Sequence, residues 1–128
     1  NPQIIYARGH GQGVRGEEST RGGFDQAIYW AKAGIADALT ISEGAYPPFQ
    51  RRAFGDIVGG QTIAGGVAAA LLKRERTGQP SVVDVSLLPL GLWQLSPDVV
   101  ASGVLGERVP KFDRSEMPSD CRCERSAK

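Results

Sequence analysis

Apolar residues recur along the chain in short runs and helical periods that predict a strand followed by a helix in its first half. The β-branched and aromatic run Ile4–Ala7 predicts a short buried strand that ends in a glycine-rich loop. In Phe24–Leu39 the apolar residues follow a 3.6-residue period, which predicts a helix weakened at Gly34. Thr40–Arg52 contains two adjacent prolines and is predicted to be a loop.

The second half of the pattern is dominated by a long helix that has glycines inside it. Ile57–Arg76 has helical apolar periodicity and a basic end, and Thr77–Pro80 carries the glycine and proline that stop a helix. Ser81–Leu88 alternates and then becomes apolar throughout, which predicts a strand. Pro89–Gly103 predicts another helix, interrupted by Pro97. This order of strands and helices favours an α/β fold with a parallel sheet.

Composition and charge narrow the class of protein. The chain has 128 residues, of which 41% are hydrophobic and 23% charged, and these values fit one globular domain. A formal net charge of +1 does not indicate a nucleic-acid partner. The apolar run Ile57–Leu72 is shorter than a membrane span, and the first residues lack the pattern of a secretory signal. We therefore expect a cytoplasmic protein with no nucleic-acid and no membrane partner.

The two ends of the chain differ from the rest. Asn1 stands directly before a predicted strand, so we expect this sequence to be the interior of a longer protein. From Glu107 the sequence is charged and aperiodic, which divides the chain into a domain at 1–106 and an irregular, disordered tail at 107–128. Cys121 and Cys123 lie in that tail, where incidental thiols are favoured over a metal hairpin or a vicinal disulfide.

The loop after the first strand contains two candidate motifs. Gly11–Gly16 reads G-x-G-x-x-G, but the residues after it do not start a helix, so a glycine-rich turn is favoured over a dinucleotide site. His10 is interpreted as an exposed loop histidine rather than a catalytic one, because no partner is evident. Arginines near the loops are either solvated or available for phosphate groups, and they are Arg8, Arg15, Arg21, Arg51 and Arg52.

Asp56 stands at the front of the long helix and has two interpretations. An aspartate there can cap the helix by accepting a backbone hydrogen bond. A cap does not require Gly59 and Gly60, which we expect in the first turn, whereas a ligand that approaches the backbone closely does. The glycines therefore favour a carboxylate that is held ionised near backbone N–H groups and acts as a nucleophile.

Several stretches together resemble the family III CoA-transferases, which also include acyl-CoA racemases. They are AFGDIVGG at 53–60, ALLKRERTGQPSVVDVSLL at 70–88, NPQIIYARGHGQG at 1–13 and GGFDQAIYWAKAG at 22–34. The resemblance covers roughly residues 1–106. It implies part of a Rossmann-like large domain from a protein that forms an interlocked homodimer. It also implies coenzyme A as a substrate, no permanently bound cofactor and no metal.

The resemblance also implies roles for particular residues. Asp56 matches the catalytic aspartate, which attacks an acyl-CoA thioester and then carries CoA as an aspartyl thioester to a second carboxylic acid. We expect the backbone N–H groups of Gly59 and Gly60 to stabilise developing negative charge. The loop formed by Gly22, Gly23, Phe24 and Asp25 matches the CoA-proximal loop, and Arg8 is a further candidate for CoA binding.

Phe24 decides between the branches of the family. Racemases carry a histidine at this position, which serves as one of two bases, and a phenyl ring cannot take a proton. CoA transfer is therefore favoured, with racemisation or epimerisation of an acyl-CoA as the alternative. A third possibility is that the chain by itself is a non-catalytic remnant of such an enzyme.

Overall fold

The computed structural model describes residues 1–111 of the chain. The predicted disorder of the tail beyond residue 111, and both cysteines, lie outside the described residues. The first residues of that predicted tail do make contacts, since Arg108 and Lys111 both bond to the carboxylate of Asp37.

Two strands and five helical segments make up the described part of the chain. In chain order they are β1 (Tyr6–His10), a π-helix (Gln26–Lys32), α1 (Ile35–Ala38), α2 (Phe54–Thr77), β2 (Val82–Ser86), α3 (Leu87–Gln94) and α4 (Ser96–Leu105).

The two strands form a parallel sheet in which Tyr6 pairs with Val82 and His10 pairs with Ser86. Because the connection between them consists of the π-helix, α1 and α2, the unit is a strand–helix–strand crossover, and the predicted α/β class is confirmed. The predicted position of β1 was wrong, since the strand begins two residues later than Ile4 and continues through the arginine, glycine and histidine that follow. Pairing with β2 overrides the turn preference of Gly9.

The long helix α2 packs on this sheet through its glycines. A Cβ at Gly66 would lie 2.6 Å from Val83 Cγ1, so only a glycine allows this close contact. A Cβ at Gly65, by contrast, would meet no atom within 4 Å, so this glycine does not contribute to packing. At 24 residues, α2 is long and apolar enough to cross a membrane by length and composition, as core helices also can be.

The predicted helix Phe24–Leu39 is two segments instead of one. Gly34 adopts φ 94°, a left-handed conformation that glycine tolerates, and separates the π-helix from α1. The segment at Gln26–Lys32 is a π-helix, a rare form that is frequent at functional sites. It buries Tyr29 and Trp30, and Tyr29 is only 1% exposed.

The end of the described chain also differs from the prediction. The strand β2 ends at Ser86 rather than Leu88, because Leu87 begins α3. The predicted helix at Pro89–Gly103 is interrupted as expected, since α3 and α4 are separated at Leu95, and Pro97 stands in the first turn of α4, where its missing N–H costs nothing. The buried core lies between the π-helix, α1 and α3 and contains Tyr29, Trp30, Ile35 and Ala36, with Leu87, Leu90 and Leu95 packed against it.

Candidate active site

A cleft of about 340 Å³ opens where the carboxyl ends of both strands meet the start of α2. In open α/β sheets, ligands bind beyond the carboxyl ends of parallel strands. Both Asp56 and His10 line this cleft. Five of its ten lining residues are glycines, so backbone rather than side chain forms much of its wall.

Asp56 is the third residue of α2 and is exposed to the cleft. The N-cap position belongs to Ala53, and no side chain on α2 caps the helix start, so the interpretation of Asp56 as the N-cap is wrong. Within the described residues the Asp56 carboxylate forms no hydrogen bond or ion pair, as an available nucleophile requires.

The backbone just before Asp56 is strained. Ala53 has φ 59°, and it is the only non-glycine residue with a positive φ in the described part of the chain. A left-handed conformation costs an L-residue about 1 kcal/mol or more. Such strain persists only where surrounding contacts impose it, and it clusters at functional sites.

No side chain next to the start of α2 accepts a hydrogen bond from its first N–H groups. Asp25, thirty residues earlier in the chain, supplies an acceptor for the Gly55 N–H. Asp25 is buried, and both of its carboxylate oxygens accept the Gly55 N–H at 3.1 Å. A Cβ at Gly55 would overlap both this carboxylate and the ring of Tyr29, so glycine is required there. Sequence reasoning placed Asp25 in the CoA-proximal loop and missed this contact. The sequence signal for this contact was that Ala53–Gly55 contain no capping side chain. The first N–H groups of the helix therefore need an acceptor from elsewhere in the chain.

A second contact holds the neighbouring residue. The rings of Trp30 and Phe54 meet edge to face, with centroids 6.2 Å apart and planes at 85°. The Trp30 indole N–H also donates to the Pro48 carbonyl at 3.2 Å. The two residues immediately before Asp56 are therefore both held by the segment around the π-helix.

Gly59 and Gly60 lie in the second turn of α2, not in the first as predicted, because the helix begins at Phe54. In the second turn an α-helix uses each N–H for the carbonyl four residues back. A Cβ at Gly60 would meet no atom within 4 Å, and one at Gly59 would only touch Leu87 and Leu90. Gly60 therefore gives the cleft open space, and neither glycine offers it a free N–H donor.

His10 does not stand in an exposed loop, and that prediction was wrong. It is the last residue of β1 and half-buried, and its Nε2 is buried without a hydrogen-bond partner among the described residues. A buried nitrogen without a partner is uncommon in folded proteins. Its position at a strand's carboxyl end was the available sequence signal for a residue of the cleft.

Of the remaining predicted binding residues, one lines the cleft and three do not. Gly23 lines it and approaches the other wall closely, since its added Cβ would lie 2.7 Å from Gly11 Cα. Gly22 is exposed, and the ring of Phe24 is 83% exposed outside the cleft lining. Arg8 is paired with Asp84 at 2.7 Å. The G-x-G-x-x-G stretch forms a turn with no helix after it, as predicted.

A larger cleft of about 700 Å³ lies elsewhere, between α1, α4 and the segment that follows α4. Hydrogen bonds from Lys111 and Arg108 hold the pKa of Asp37 there below its usual range. The Asp37 carboxylate is thus engaged in ion pairs and is less available as a nucleophile than Asp56. Among residues 1–111, no group of three or more metal-ligating side chains is close enough to hold a metal.

Comparison with known proteins places this geometry in a family. The family described as CoA-transferase family III matches residues 1–122, beyond the point at which the resemblance was expected to end. A cinnamoyl-CoA:phenyllactate CoA-transferase of Clostridium sporogenes is 33% identical over 119 residues, which cover 92% of this chain and 29% of that protein. The α-methylacyl-CoA racemase of Mus musculus is 34% identical over 110 residues, covering 73% of this chain and 28% of the racemase.

Solved structures agree with the sequence match. The crystal structure of a CAIB/BAIF family protein from Brucella suis superposes with a TM-score of 0.78 at 28% identity, covering 88% of this chain and 29% of that one. The chain thus spans under a third of the length of the relatives it matches. With most of its residues matched in sequence, and with the same fold, the chain belongs to CoA-transferase family III.

Proposed function

We propose that the protein containing this chain moves CoA from an acyl-CoA to a carboxylic acid, with Asp56 as the nucleophile. The observation that carries the proposal is that Asp56 is exposed, makes no bond to its own helix and lines a cleft walled by glycines. Family membership supports the reaction class. The acyl donor and acceptor are not assigned.

The proposed chemistry needs no proton transfer. An Asp56 carboxylate oxygen attacks the thioester carbonyl carbon, and the electron pair moves to the carbonyl oxygen. Collapse of this intermediate expels CoA thiolate and leaves an acyl-aspartyl anhydride. The thiolate attacks the Asp56 carboxyl carbon, so that the product acid leaves as a carboxylate and an aspartyl-CoA thioester remains. The acceptor carboxylate then repeats these two steps in reverse, and each step is easier than direct exchange.

Contacts for CoA are proposed around the same cleft. Gly23 offers backbone at the cleft wall, and the exposed ring of Phe24 offers a flat apolar surface nearby. Arg8 is proposed as a phosphate contact, for which its guanidinium has to leave Asp84 or be shared with it. Gly22 remains a candidate only through its exposed backbone.

The whole protein is proposed to be an interlocked homodimer with a Rossmann-like large domain. The described residues leave large aromatic side chains uncovered, and these are Tyr46, Phe49 and Trp93, which are 97%, 85% and 78% exposed. Uncovered apolar surface of this kind favours burial against more protein. The rest of the chain and a second copy are the two sources of cover.

A second candidate function is racemisation or epimerisation of an acyl-CoA. Phe24 cannot act as a base, but His10 lies in the same cleft as Asp56 and leaves a buried nitrogen without a partner. Two proton-accepting groups in one cleft are what two-base racemisation uses, because one removes the α-proton and the other returns a proton to the opposite face. One relative is a racemase.

The test uses the intact protein that contains this chain. Asp56→Ala should lower kcat at least about 10⁴-fold, as expected for a covalent nucleophile, and should abolish the covalent enzyme–CoA adduct seen by mass spectrometry. CoA affinity should change less than about threefold. Asp98→Ala is the matched control, because Asp98 also stands in the first turn of a helix.

The same samples decide between the two candidates. Turnover or adduct formation that survives in Asp56→Ala would end the transferase proposal. Incubation of the unaltered protein with an acyl-CoA in deuterated water should leave the α-proton in place. Exchange of that proton that is lost in His10→Gln would favour the racemase instead.

A further inference from the structure

Asp25 is joined to the first turn of α2 by more than one contact. Its buried carboxylate accepts the Gly55 N–H, while the Tyr29 ring fills the space where a Gly55 side chain would stand. Both contacts come from one segment, since Tyr29 lies one turn beyond Asp25. The position of Gly55 is thereby fixed from two directions, and Asp56 is the next residue.

The contact is not an ordinary helix cap. A capping residue precedes its helix directly and can be replaced by water when the helix end is exposed. Here the cap position is a strained alanine, and the acceptor is 8% exposed and thirty residues away. A buried carboxylate is costly unless its hydrogen bonds are made, and both oxygens of Asp25 accept the Gly55 N–H.

We infer that Asp25 is a positioning residue, which holds the first turn of α2 so that the Asp56 carboxylate faces the cleft at a fixed distance from a bound thioester. This inference rests on the proposed function of Asp56. A nucleophile that is misplaced by about 1 Å loses about 10²-fold in rate, even when the change lies away from the reacting atoms. Asp25 itself does not line the cleft and does not touch substrate in this role.

Positioning and substrate binding predict different kinetics for the same substitution. Removal of a positioning contact lowers kcat and leaves KM for the acyl-CoA nearly unchanged, because substrate still binds. Removal of a CoA contact raises KM with kcat unchanged. The resemblance assigns Asp25 to CoA binding, so this difference decides between the two roles.

The experiment compares three variants of the intact protein. Asp25→Ala removes the acceptor and should lower kcat about 10- to 100-fold, with KM changed less than about threefold. Asp25→Asn keeps one oxygen acceptor of the same reach and should retain kcat within about fivefold. Thr40→Ala is the matched control, because Thr40 is buried and its hydroxyl donates to the Ala36 carbonyl at 2.7 Å, away from the cleft.

If Asp25→Ala does not fold, Asp25→Glu replaces it. This variant keeps the charge and the acceptor but moves them by one methylene group, and it should lower kcat about tenfold. An unchanged kcat in the folded Ala or Glu variant would overturn the inference, as would a raised KM at unchanged kcat. A loss in Thr40→Ala equal to that in Asp25→Ala would also overturn it. If Asp56→Ala retained turnover, the proposed function and this inference would fail together.

Discussion

The two ends of α2 are built in opposite ways. At the carboxyl end, Gly78 adopts φ 71° and donates its N–H to the Arg74 carbonyl at 2.8 Å, and Thr77 donates its hydroxyl to the Lys73 carbonyl. All of these groups lie within a few residues of one another. At the amino end, by contrast, the acceptor for Gly55 comes from a segment thirty residues away.

The carboxyl end of α2 is therefore terminated by local hydrogen bonds, whereas the amino end is held in place by a distant segment. The carboxyl end follows the usual glycine termination, with basic residues in the last turn that favour the helix dipole. The amino end carries a left-handed alanine, a required glycine and a buried carboxylate, all of which reduce stability in other settings. The end of α2 that presents Asp56 to the cleft is thus held by contacts from a distant segment.

The largest change in stability is expected from a substitution at the amino end of α2. Gly55→Ala places a methyl group against the Tyr29 ring and the Asp25 carboxylate, and such overpacking should destabilise the protein by about 3 kcal/mol. Urea unfolding measures the change in free energy of unfolding. Gly65→Ala is the matched control, since nothing lies within 4 Å of the added carbon, and it should stabilise by up to about 1 kcal/mol. Equal effects at the two positions would contradict the close fit at Gly55.

A smaller effect is expected at the carboxyl end. Gly78→Ala forces an L-residue into the left-handed conformation and should cost about 1 kcal/mol. Because this end lies far from the cleft along α2, the kinetic constants should stay within about twofold. A fall in kcat at Gly78→Ala as large as the one expected at Asp25→Ala would show that general helix stability, and not the local fit of the amino end, controls the site.

An effect no larger than that of Gly78→Ala is expected at neutral pH from the tyrosine that packs on Gly55. Burial, and then the charge of Asp25, raise the pKa of the Tyr29 phenol, while its hydrogen bond to Gln94 acts in the opposite direction. The folded state thus prefers the protonated phenol. The resulting stability is complete below the unfolded pKa of about 10 and is lost as pH rises through the higher folded pKa.

Thermal unfolding between pH 8 and pH 11 measures this dependence. Tyr29→Phe should cost about 1 kcal/mol at neutral pH and should flatten the loss of stability above pH 10. Tyr46→Phe is the control, because Tyr46 is 97% exposed, and it should change neither quantity. An unchanged slope in Tyr29→Phe would mean that Tyr29 is not the group responsible.

The same contrast explains which predictions succeeded. The end of α2 at Thr77 and Gly78, the loop after Leu39 and the α/β order all follow from local preferences, and they were predicted from the pattern. The start of α2 was placed three residues too late, because Ala53–Gly55 carry no local helix-start signal. Their partners, Asp25 and Trp30, are in another segment.

The candidate site shows a similar division. Asp56 was identified from its own neighbourhood, and the structure places it in a cleft. His10 was misjudged, because the strand that carries it extends through Gly9 only when paired with β2. The space at Gly60 could be anticipated from composition, but not its second-turn position, which depends on where α2 begins.

What the sequence by itself determined is the order of elements and the end of the long helix, and it also singled out Asp56 as the candidate nucleophile. These depend on φ preferences, periodicity and hydrogen bonds between residues a few positions apart, which are present in any local stretch of the chain. Only the tertiary structure decided the extent of β1, the burial of His10 and the hold of Asp25 on Gly55. Those interactions join segments distant in sequence, so they contribute free energy only after the segments have packed together.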